Sequence, residues 1–456
     1  MNKIILLSCV LCSFGLQAAL AQSFKLMRYD EDYSAFKSDT SCKIYNKIKY
    51  IGLSANRSVY LSFGGEIRYE YAGKMDENWI AGQGYNYSFL QRYSLNTNLQ
   101  LGSRLRIFAQ VNSALENGSK YGPAPVDEDK LNVQDLFAEL KVWQKDDQSL
   151  SVRAGRQELN YGTGRLISVR EGTNVRLYFT GAKAMYKSKR FTVDGFAMMA
   201  DNVYPGVFDN KPTHQVNLWG AYSTLIIPKG GNFDFYYLGT KNNDKAYEEG
   251  IANETRHTIA TRYWKNGGGF IYNLEGAYQF GTFGKGNINA WTAAIDLGYV
   301  FDKMKGKPSI NLRNDYISGD KKKGDGNLQT FNPLYPKGGY FGFNPLIGPA
   351  NLIDLHPYAT YSLTDQCDIQ ADVVFNWRYS TQDGLYRPSG NFNLPGASST
   401  QKYIGTTYLA SAEYKFSKFF MLSSGVQYFK TGAFIEDVVQ PTAGSWFYNL
   451  QFTFKF

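Results

Sequence analysis

Alternation of apolar and polar residues with a period of two recurs from Val59 to the end of the chain. Each stretch is about a dozen residues long, and this period indicates a β-strand with two different faces. Between Val59 and Tyr71, Val, Leu, Phe, Ile and Tyr share one parity, and the other parity carries Ser, Glu and Arg. Soluble strands usually have about five or six residues, whereas a tilted strand that crosses a bilayer needs roughly 9–11. The alternation therefore favours membrane-spanning strands.

The strands and their connections together predict an all-β fold: a single transmembrane antiparallel β-barrel of about 18 strands. Tight turns such as Gly230-Gly231 alternate with mostly longer loops such as 320–351 and 381–401. Short periplasmic turns and long extracellular loops are typical of outer-membrane barrels. An even strand number places both chain ends on the periplasmic side. The alternative, a soluble β-sandwich, needs strands near half this length and one unusually large helix-free core.

The predicted strands are 59–71, 85–101, 104–115, 131–143, 149–160, 176–187, 190–200, 214–227, 232–241, 255–265, 269–281, 287–301, 308–319, 352–363, 367–380, 402–415, 418–430 and 444–456. Composition supports a barrel, because Tyr (35), Phe (31) and Gly (45) are abundant and no run after the N-terminus is long enough for a transmembrane helix. The last strand ends on the aromatic residue Phe456, which resembles the terminal signal that outer-membrane proteins present for insertion.

The N-terminus has the pattern of a secretory signal peptide. Lys3 precedes an apolar stretch at 4–16, and Ala19-Leu20-Ala21 is a small-residue cleavage site. We therefore expect a signal peptide at 1–21, a periplasmic N-terminal segment at 22–58 and an outer-membrane barrel at 59–456. A lipoprotein anchor at Cys9 or Cys12 is the alternative. Cys42 and Cys367 could form a disulfide in the oxidising periplasm, but nothing in the sequence decides it.

Charged residues inside the strands should face the lumen, because Arg or Lys on the lipid face costs roughly 2–4 kcal/mol at the midplane. They could act as an anion-attracting ring or pair with acids across neighbouring strands and stiffen the wall. The net charge of +9, without any basic cluster of the kind that binds nucleic acid, favours an anionic ligand. The lumen residues predicted in this way include Arg68, Arg92, Arg104, Arg106, Glu139, Arg153, Arg256, Arg262, Arg313 and Arg378.

Catalytic chemistry finds no support in the sequence. The three histidines, His214, His257 and His356, are far apart, and no nucleophile triad, paired-histidine metal motif or phosphate-binding loop occurs. We therefore expect no enzyme activity, no metal and no cofactor. No device for ATP or ion coupling is present, so flux must follow a gradient or be driven by partners.

Two sequence blocks resemble the alginate-export porin family. The stretch 152–162 with Arg165-Leu166-Ile167 is similar to that family's "GRQEL-YG-RL" block. The stretch 331–342 with Asn351-Leu352 is similar to a second block. The residues around Leu26 to Tyr33 and Tyr60 to Glu66 look like the version found in Bacteroidetes-type members. The resemblance covers essentially the whole chain after the signal peptide.

The resemblance implies a monomeric 18-stranded barrel that passes an anionic uronate polysaccharide through an arginine-lined lumen. It carries over to Arg153, Arg156, Glu158 and Arg165 as lumen residues. Arg156 has the lipid parity of its strand unless Gly155 makes a bulge. The chain departs from the family pattern between Glu171 and Gly181, where a Trp is absent and Thr180 replaces an Asp. The identity of the polysaccharide therefore stays open.

Three functions follow from these observations. The first is a channel, embedded in outer-membrane lipid, for an anionic or polar saccharide, with periplasmic export partners where flux is driven. The second is a general diffusion porin for small polar solutes. The third is a structural or adhesive barrel with a plugged lumen, whose loops 320–351 and 381–401 bind an external partner.

Overall fold

The computed structural model describes residues 24–40 and 43–456. The predicted signal peptide at 1–21 and Cys42 lie outside these ranges, so cleavage and the disulfide stay predictions. The described part contains two short α-helices, α1 (Ile44–Lys49) and α2 (Ala433–Val438), and 3-10 turns at Arg28–Asp30 and Ser34–Ser38. None of its helices is both long and apolar enough to span a membrane.

The strands are β1 Ile51–Gly52, β2 Val59–Met75, β3 Tyr85–Leu101, β4 Leu105–Asn117, β5 Asp129–Lys145, β6 Gln148–Gln157, β7 Phe179–Lys187, β8 Phe191–Asn202, β9 Lys211–Ile227, β10 Gly231–Tyr247, β11 Gly250–Gly267, β12 Phe270–Phe283, β13 Gly286–Val300, β14 Ser309–Ile317, β15 Leu352–Thr364, β16 Cys367–Arg378, β17 Leu385–Tyr386, β18 Phe392–Leu394, β19 Tyr403–Lys415, β20 Phe420–Thr431 and β21 Ser445–Lys455.

Eighteen of these strands form one closed antiparallel barrel in chain order. β2 to β16, β19, β20 and β21 each pair with the next, and β2 pairs with β21 to close the wall. The predicted 18-stranded fold is confirmed, and each predicted strand has a counterpart. β10 and β11 extend beyond the prediction to Tyr247 and back to Gly250. Their tips are rich in Asn, Asp, Glu and Lys, so they lack the apolar parity that marked the other strands.

The wall has an apolar outer face and a polar inner face. Apolar side chains on the outer parity are exposed: Leu95, Phe235 and Ile310 are 52%, 53% and 64% exposed. On the inner parity, polar side chains such as Arg92 and Asn96 are buried. At the long-loop end, the hydroxyl of Tyr85 hydrogen-bonds to those of Tyr71 and Tyr448, as expected for an aromatic belt at a membrane interface.

The long loops fold back into the barrel instead of projecting from it. Large side chains from the connections between strands are buried there, and they contribute to one apolar cluster with the inner wall. These side chains include Trp79, Leu166, Phe331, Tyr340, Tyr386 and Phe434. The connection between β16 and β19 also contains the small hairpin β17–β18. A plugged lumen was one of the alternatives drawn from the sequence, but the loops that fill it could not be identified, because alternation describes strands and says nothing of where a loop turns.

Candidate functional site: two loops that cross the lumen

The connection between β6 and β7, residues 158–178, reaches both sides of the barrel; we call it the crossing loop. On one side Arg92 of β3 lies 2.7 Å from the carboxylate of Glu171, and Arg68 of β2 donates to the Glu171 carbonyl at 2.9 Å. On the other side Arg165 donates to Glu275 of β12 at 3.1 Å and to Asp315 of β14. Since β2–β3 and β12–β14 lie on different sides of the barrel, the crossing loop divides the lumen.

The connection between β14 and β15, residues 318–351, runs beside the crossing loop; we call it the companion loop. Tyr335 N donates to Leu166 O and Ser168 N donates to Tyr335 O, both at 2.9 Å. Lys337 N donates to Gly164 O at 2.9 Å. These bonds make a short parallel pairing inside the barrel. The two sequence blocks that carry the family resemblance therefore meet in the lumen.

Polar side chains fix the companion loop to the next loop, residues 379–402. The side-chain amide of Asn351 donates to the carbonyls of Ser380, Asp383 and Gly384, each at 3.0 Å. The carboxylate of Asp383 accepts Asp320 N at 2.8 Å. Within the part of the chain that the structure describes, Arg378 donates only to backbone carbonyls, those of residues 381, 383, 396, 399 and 401. Arg378 is fully buried. Its hydrogen bonds thus hold the loop at 379–402 in place.

Three cations surround the ring of Tyr340 where the two loops meet. The distances to the ring centroid are 4.8 Å from Arg165, 4.9 Å from the Lys337 ammonium and 5.5 Å from Arg313. Arg165 has two carboxylate partners and Arg313 has Asp296 at 3.3 Å. Lys337 has no ion pair within the ranges that the structure describes, and its side chain is half-buried. Burial, with the nearby charges of Arg313 and Arg165, lowers the pKa of Lys337 to about 8.

Most of the predicted lumen arginines lie on the inner parity, but they are paired with acids. Arg106 and Arg153 share Glu139, at 2.9 and 2.6 Å, and this is a cross-strand contact on adjacent strands. The further pairs are Arg92–Glu66, Arg256–Glu254, Arg262–Asp234 and Arg313–Asp296. Glu158 pairs with Arg176 at 2.8 Å. The charge of the wall is therefore largely compensated within it.

Two predicted residues do not lie in the lumen. Arg104 is exposed in the turn between β3 and β4, because β4 begins one residue later than expected. Arg156 keeps the lipid parity of β6, since the β6 register with both neighbours is continuous at Gly155 and no bulge forms there. The Arg156 side chain lies at the long-loop rim, 2.5 Å from Asp201.

Lys337 and Tyr340 were not among the site residues predicted from the sequence. They lie inside the companion-loop block, but a lysine and a tyrosine in a glycine-rich loop carry no strand parity. Arg176, which binds Glu158 and Glu171, lies just before β7 in the stretch that departs from the family pattern. Only the fold-back of the loops brings these side chains to the site.

A cavity of about 320 Å³ lies beside the companion loop, against the inner face of β15, β16, β19, β20 and β21. Phe343 of the companion loop lies at one edge. The wall is lined by hydroxyl and amide groups and by two acids; the polar lining residues include Thr360, Asp368, Gln370, Ser411, Glu413, Ser423 and Asn449. Such a lining offers many hydrogen-bonding groups to a polar solute.

Comparison with known proteins gives one family and many similar folds. The family model described as "Alginate export" matches residues 59–449. No curated protein matches the chain by sequence. Among solved structures, Acinetobacter baumannii OccAB1 superposes with a TM-score of 0.60 and 12% identity, over 90% of this chain and 99% of that chain.

Two further solved structures have the same architecture. A BenF-like porin from Pseudomonas fluorescens Pf-5 gives a TM-score of 0.57 with 10% identity, over 87% of this chain and 98% of that one. Pseudomonas aeruginosa OccK2, crystallised in complex with glucuronate, gives 0.55 with 10% identity, over 87% and 96%. At these identities the similarity concerns the barrel fold. A match of the family model over most of the chain is the more specific result.

Proposed function

The chain belongs to the alginate export family of outer-membrane channels, and from this premise we propose that it passes an anionic saccharide of the uronate class through its lumen. The substrate contacts we assign are Lys337 and Arg313, which lie beside the buried ring of Tyr340. Such cations can bind a sugar carboxylate. The glucuronate bound to OccK2, which has a similar barrel, supports this substrate class.

The observation that carries the proposal is the ammonium of Lys337. The other cations of the cluster already have carboxylate partners, whereas Lys337 has none among the described residues. A mobile carboxylate that enters the lumen would find there a positive charge without competition. The cluster lies where the two loops meet inside the barrel, and charges inside a channel determine its ion selectivity.

The lining of the cavity beside the companion loop favours a second candidate, a porin for small neutral polar solutes. Its hydroxyl and amide groups suit sugar hydroxyls, and its two acids, Asp368 and Glu413, would repel a polyanion. The two candidates differ in the sign of the preferred ion and in the response to uronates.

Single-channel recording in planar bilayers distinguishes them. Under a KCl gradient, the anionic-saccharide proposal predicts a reversal potential that is shifted towards the equilibrium potential of chloride. It also predicts that an oligouronate blocks the current more strongly than a neutral oligosaccharide of equal length. Lys337→Gln is expected to reduce both effects.

Arg104→Gln is the matched control. This substitution also removes one positive charge, and Arg104 is exposed in a periplasmic turn. Equal block by the two oligosaccharides, together with cation preference, would contradict the uronate proposal and favour the porin for neutral solutes.

A further inference from the structure

The segment of residues 24–33, which precedes the barrel, lies against the inner wall at the short-turn end. Arg28 donates to the carbonyls of Phe456 at 2.7 Å and Gly65 at 3.2 Å. These carbonyls lie where β2 and β21 close the barrel, so the segment is fixed at the seam. Arg28 is buried and also lies 2.9 Å from the carboxylate of Glu31.

Tyr29 is the most buried residue of this segment. Its ring packs edge-on against Phe108 and Phe137, with centroids 5.7 and 5.3 Å apart, and the side chain is 3% exposed. The guanidinium of Arg153 lies 4.3 Å from the ring centroid. The Tyr29 hydroxyl donates to Glu158 O at 2.6 Å, so the segment contacts the first residue of the crossing loop.

Backbone carbonyls of the segment accept hydrogen bonds from further lumen arginines. Arg106 donates to Tyr29 O at 2.7 Å, and Arg176 donates to Leu26 O at 2.9 Å. The segment therefore engages Arg106, Arg153 and Arg176, three of the cations that line this part of the lumen.

The charge of Asp30 completes the arrangement. Arg106, Arg153 and Lys183 supply three positive charges at this end of the lumen. Glu139 and Asp194, their salt-bridge partners, supply two negative ones. One positive charge is left over. Burial is the largest influence on the pKa of Asp30 and raises it, whereas the charges of Arg153, Lys183 and Arg106 lower it. The carboxylate of Asp30 therefore lies in the field of this surplus positive charge.

We infer that residues 24–33 are an internal ligand that closes the periplasmic mouth, with Tyr29 and Asp30 occupying a site for one ring and carboxylate of an acidic saccharide. The site consists of Arg106, Arg153, Lys183 and the two phenylalanines that hold Tyr29. An acidic saccharide that competes for these cations displaces the segment and opens the channel. This inference rests on the proposed function, since a plug matters only in a conducting barrel.

The test compares the current of the full chain with that of Tyr29→Ala/Asp30→Asn in planar bilayers. Loss of the aromatic anchor and the charge is expected to raise the open-channel conductance severalfold. A synthetic peptide of residues 24–33, added on the short-turn side, is expected to restore the low conductance. The same peptide carrying the two substitutions is not. Asp32→Asn is the matched control, because it removes an equal charge from an exposed position of the same segment, two residues beyond Asp30.

An equal or smaller current in the double variant, including no current in either protein, overturns the plug. Asp30→Asn alone, at an exposed position, provides the same comparison should the double variant fail to fold, as judged by circular dichroism. The reversal potential in the same bilayers tests the proposed function separately. A raised current in the double variant without anion preference supports the plug and contradicts the uronate channel. Anion preference without a raised current supports the uronate channel and contradicts the plug.

Discussion

Arg165 and Asp315, 150 residues apart in sequence, form an ion pair in the middle of the barrel, where the crossing loop contacts the opposite wall. The arginine side chain is 6% exposed and the aspartate is fully buried. Glu275 accepts a second bond from the same guanidinium. One side chain therefore fixes the position of a loop that divides the lumen.

Arg165→Ala is expected to destabilise the protein, because it leaves the carboxylates of Glu275 and Asp315 buried without the cation that pairs with both of them. Breaking a buried ion pair from one side typically costs about 3–5 kcal/mol. The free energy of unfolding in detergent micelles, measured by denaturant titration with tryptophan fluorescence, checks this. Arg104→Ala, at an exposed turn, is expected to change it by less than about 0.5 kcal/mol. Equal stabilities of the two variants would show that the loop is held by other contacts.

The anion preference of the channel is expected to fall as the pH rises through about 8, the pKa of Lys337. A lysine is positive below its pKa and neutral above it, so the ammonium attracts anions at neutral pH and ceases to do so in alkaline solution. Reversal potentials recorded over a pH series check the midpoint. Lys337→Arg is expected to keep the preference through this range, because a guanidinium stays charged. A pH response that persists in Lys337→Arg would assign it to another group.

The strands were predictable because their pattern is local. Each strand must alternate to present one face to lipid, so a window of about ten residues is sufficient evidence. Strand parity also predicted the inward positions of Arg92, Arg153 and Arg313. The prediction was wrong for Arg104, because β4 begins one residue later than its pattern suggests.

The site was not predictable from the same pattern, because long-range contacts determine it. The inward course of the crossing loop depends on Arg165 reaching β12 and β14, and nothing near Arg165 in sequence records those partners. Glu139, the acid that pairs with both Arg106 and Arg153, was visible in the sequence as an inward residue. Its pairing with them became known only from the register of β4, β5 and β6. The family resemblance pointed to both loops, but it did not show that they contact each other.

Asn351→Ala is expected to release the loop at 379–402 from the companion loop. The side-chain amide of Asn351 donates to three buried carbonyls, and its oxygen accepts Ser380 N at 2.7 Å. Asn351 also has φ of +49°, a conformation that favours Asn or Gly. We expect limited proteolysis to cut within 379–402 much faster in the variant than in the wild type, while the strands stay protected.

Asn351→Gly separates the two contributions at this position. Glycine adopts the left-handed conformation without strain but makes none of the four bonds. Both variants should therefore be cleaved faster, and the alanine variant should also lose about 1–2 kcal/mol more stability than the glycine variant. Wild-type cleavage rates in the glycine variant would show that the backbone, and not the side-chain hydrogen bonds, holds the loops together.

Gly155→Ala is expected to disrupt the wall at the start of the crossing loop. Gly155 has φ of +130°, and a Cβ there would lie 2.2 Å from the carbonyl oxygen of Leu136 on β5. The backbone conformation alone costs a residue with a side chain about 1–3 kcal/mol, and the clash must shift β5 or β6 in addition. Since Arg153 and Glu158 lie within three residues of Gly155, the shift should also move the site that holds Tyr29.

The control for Gly155→Ala is Gly195→Ala on β8, where a Cβ meets no atom within 4 Å. We expect the Gly155 variant to unfold at lower denaturant concentration and to conduct more than the wild type, because the plug loses its seat. The Gly195 variant should match the wild type in both measurements. A Gly155 variant with wild-type stability would mean that β5 and β6 can separate there without loss, and would remove the structural reason for a glycine in this block.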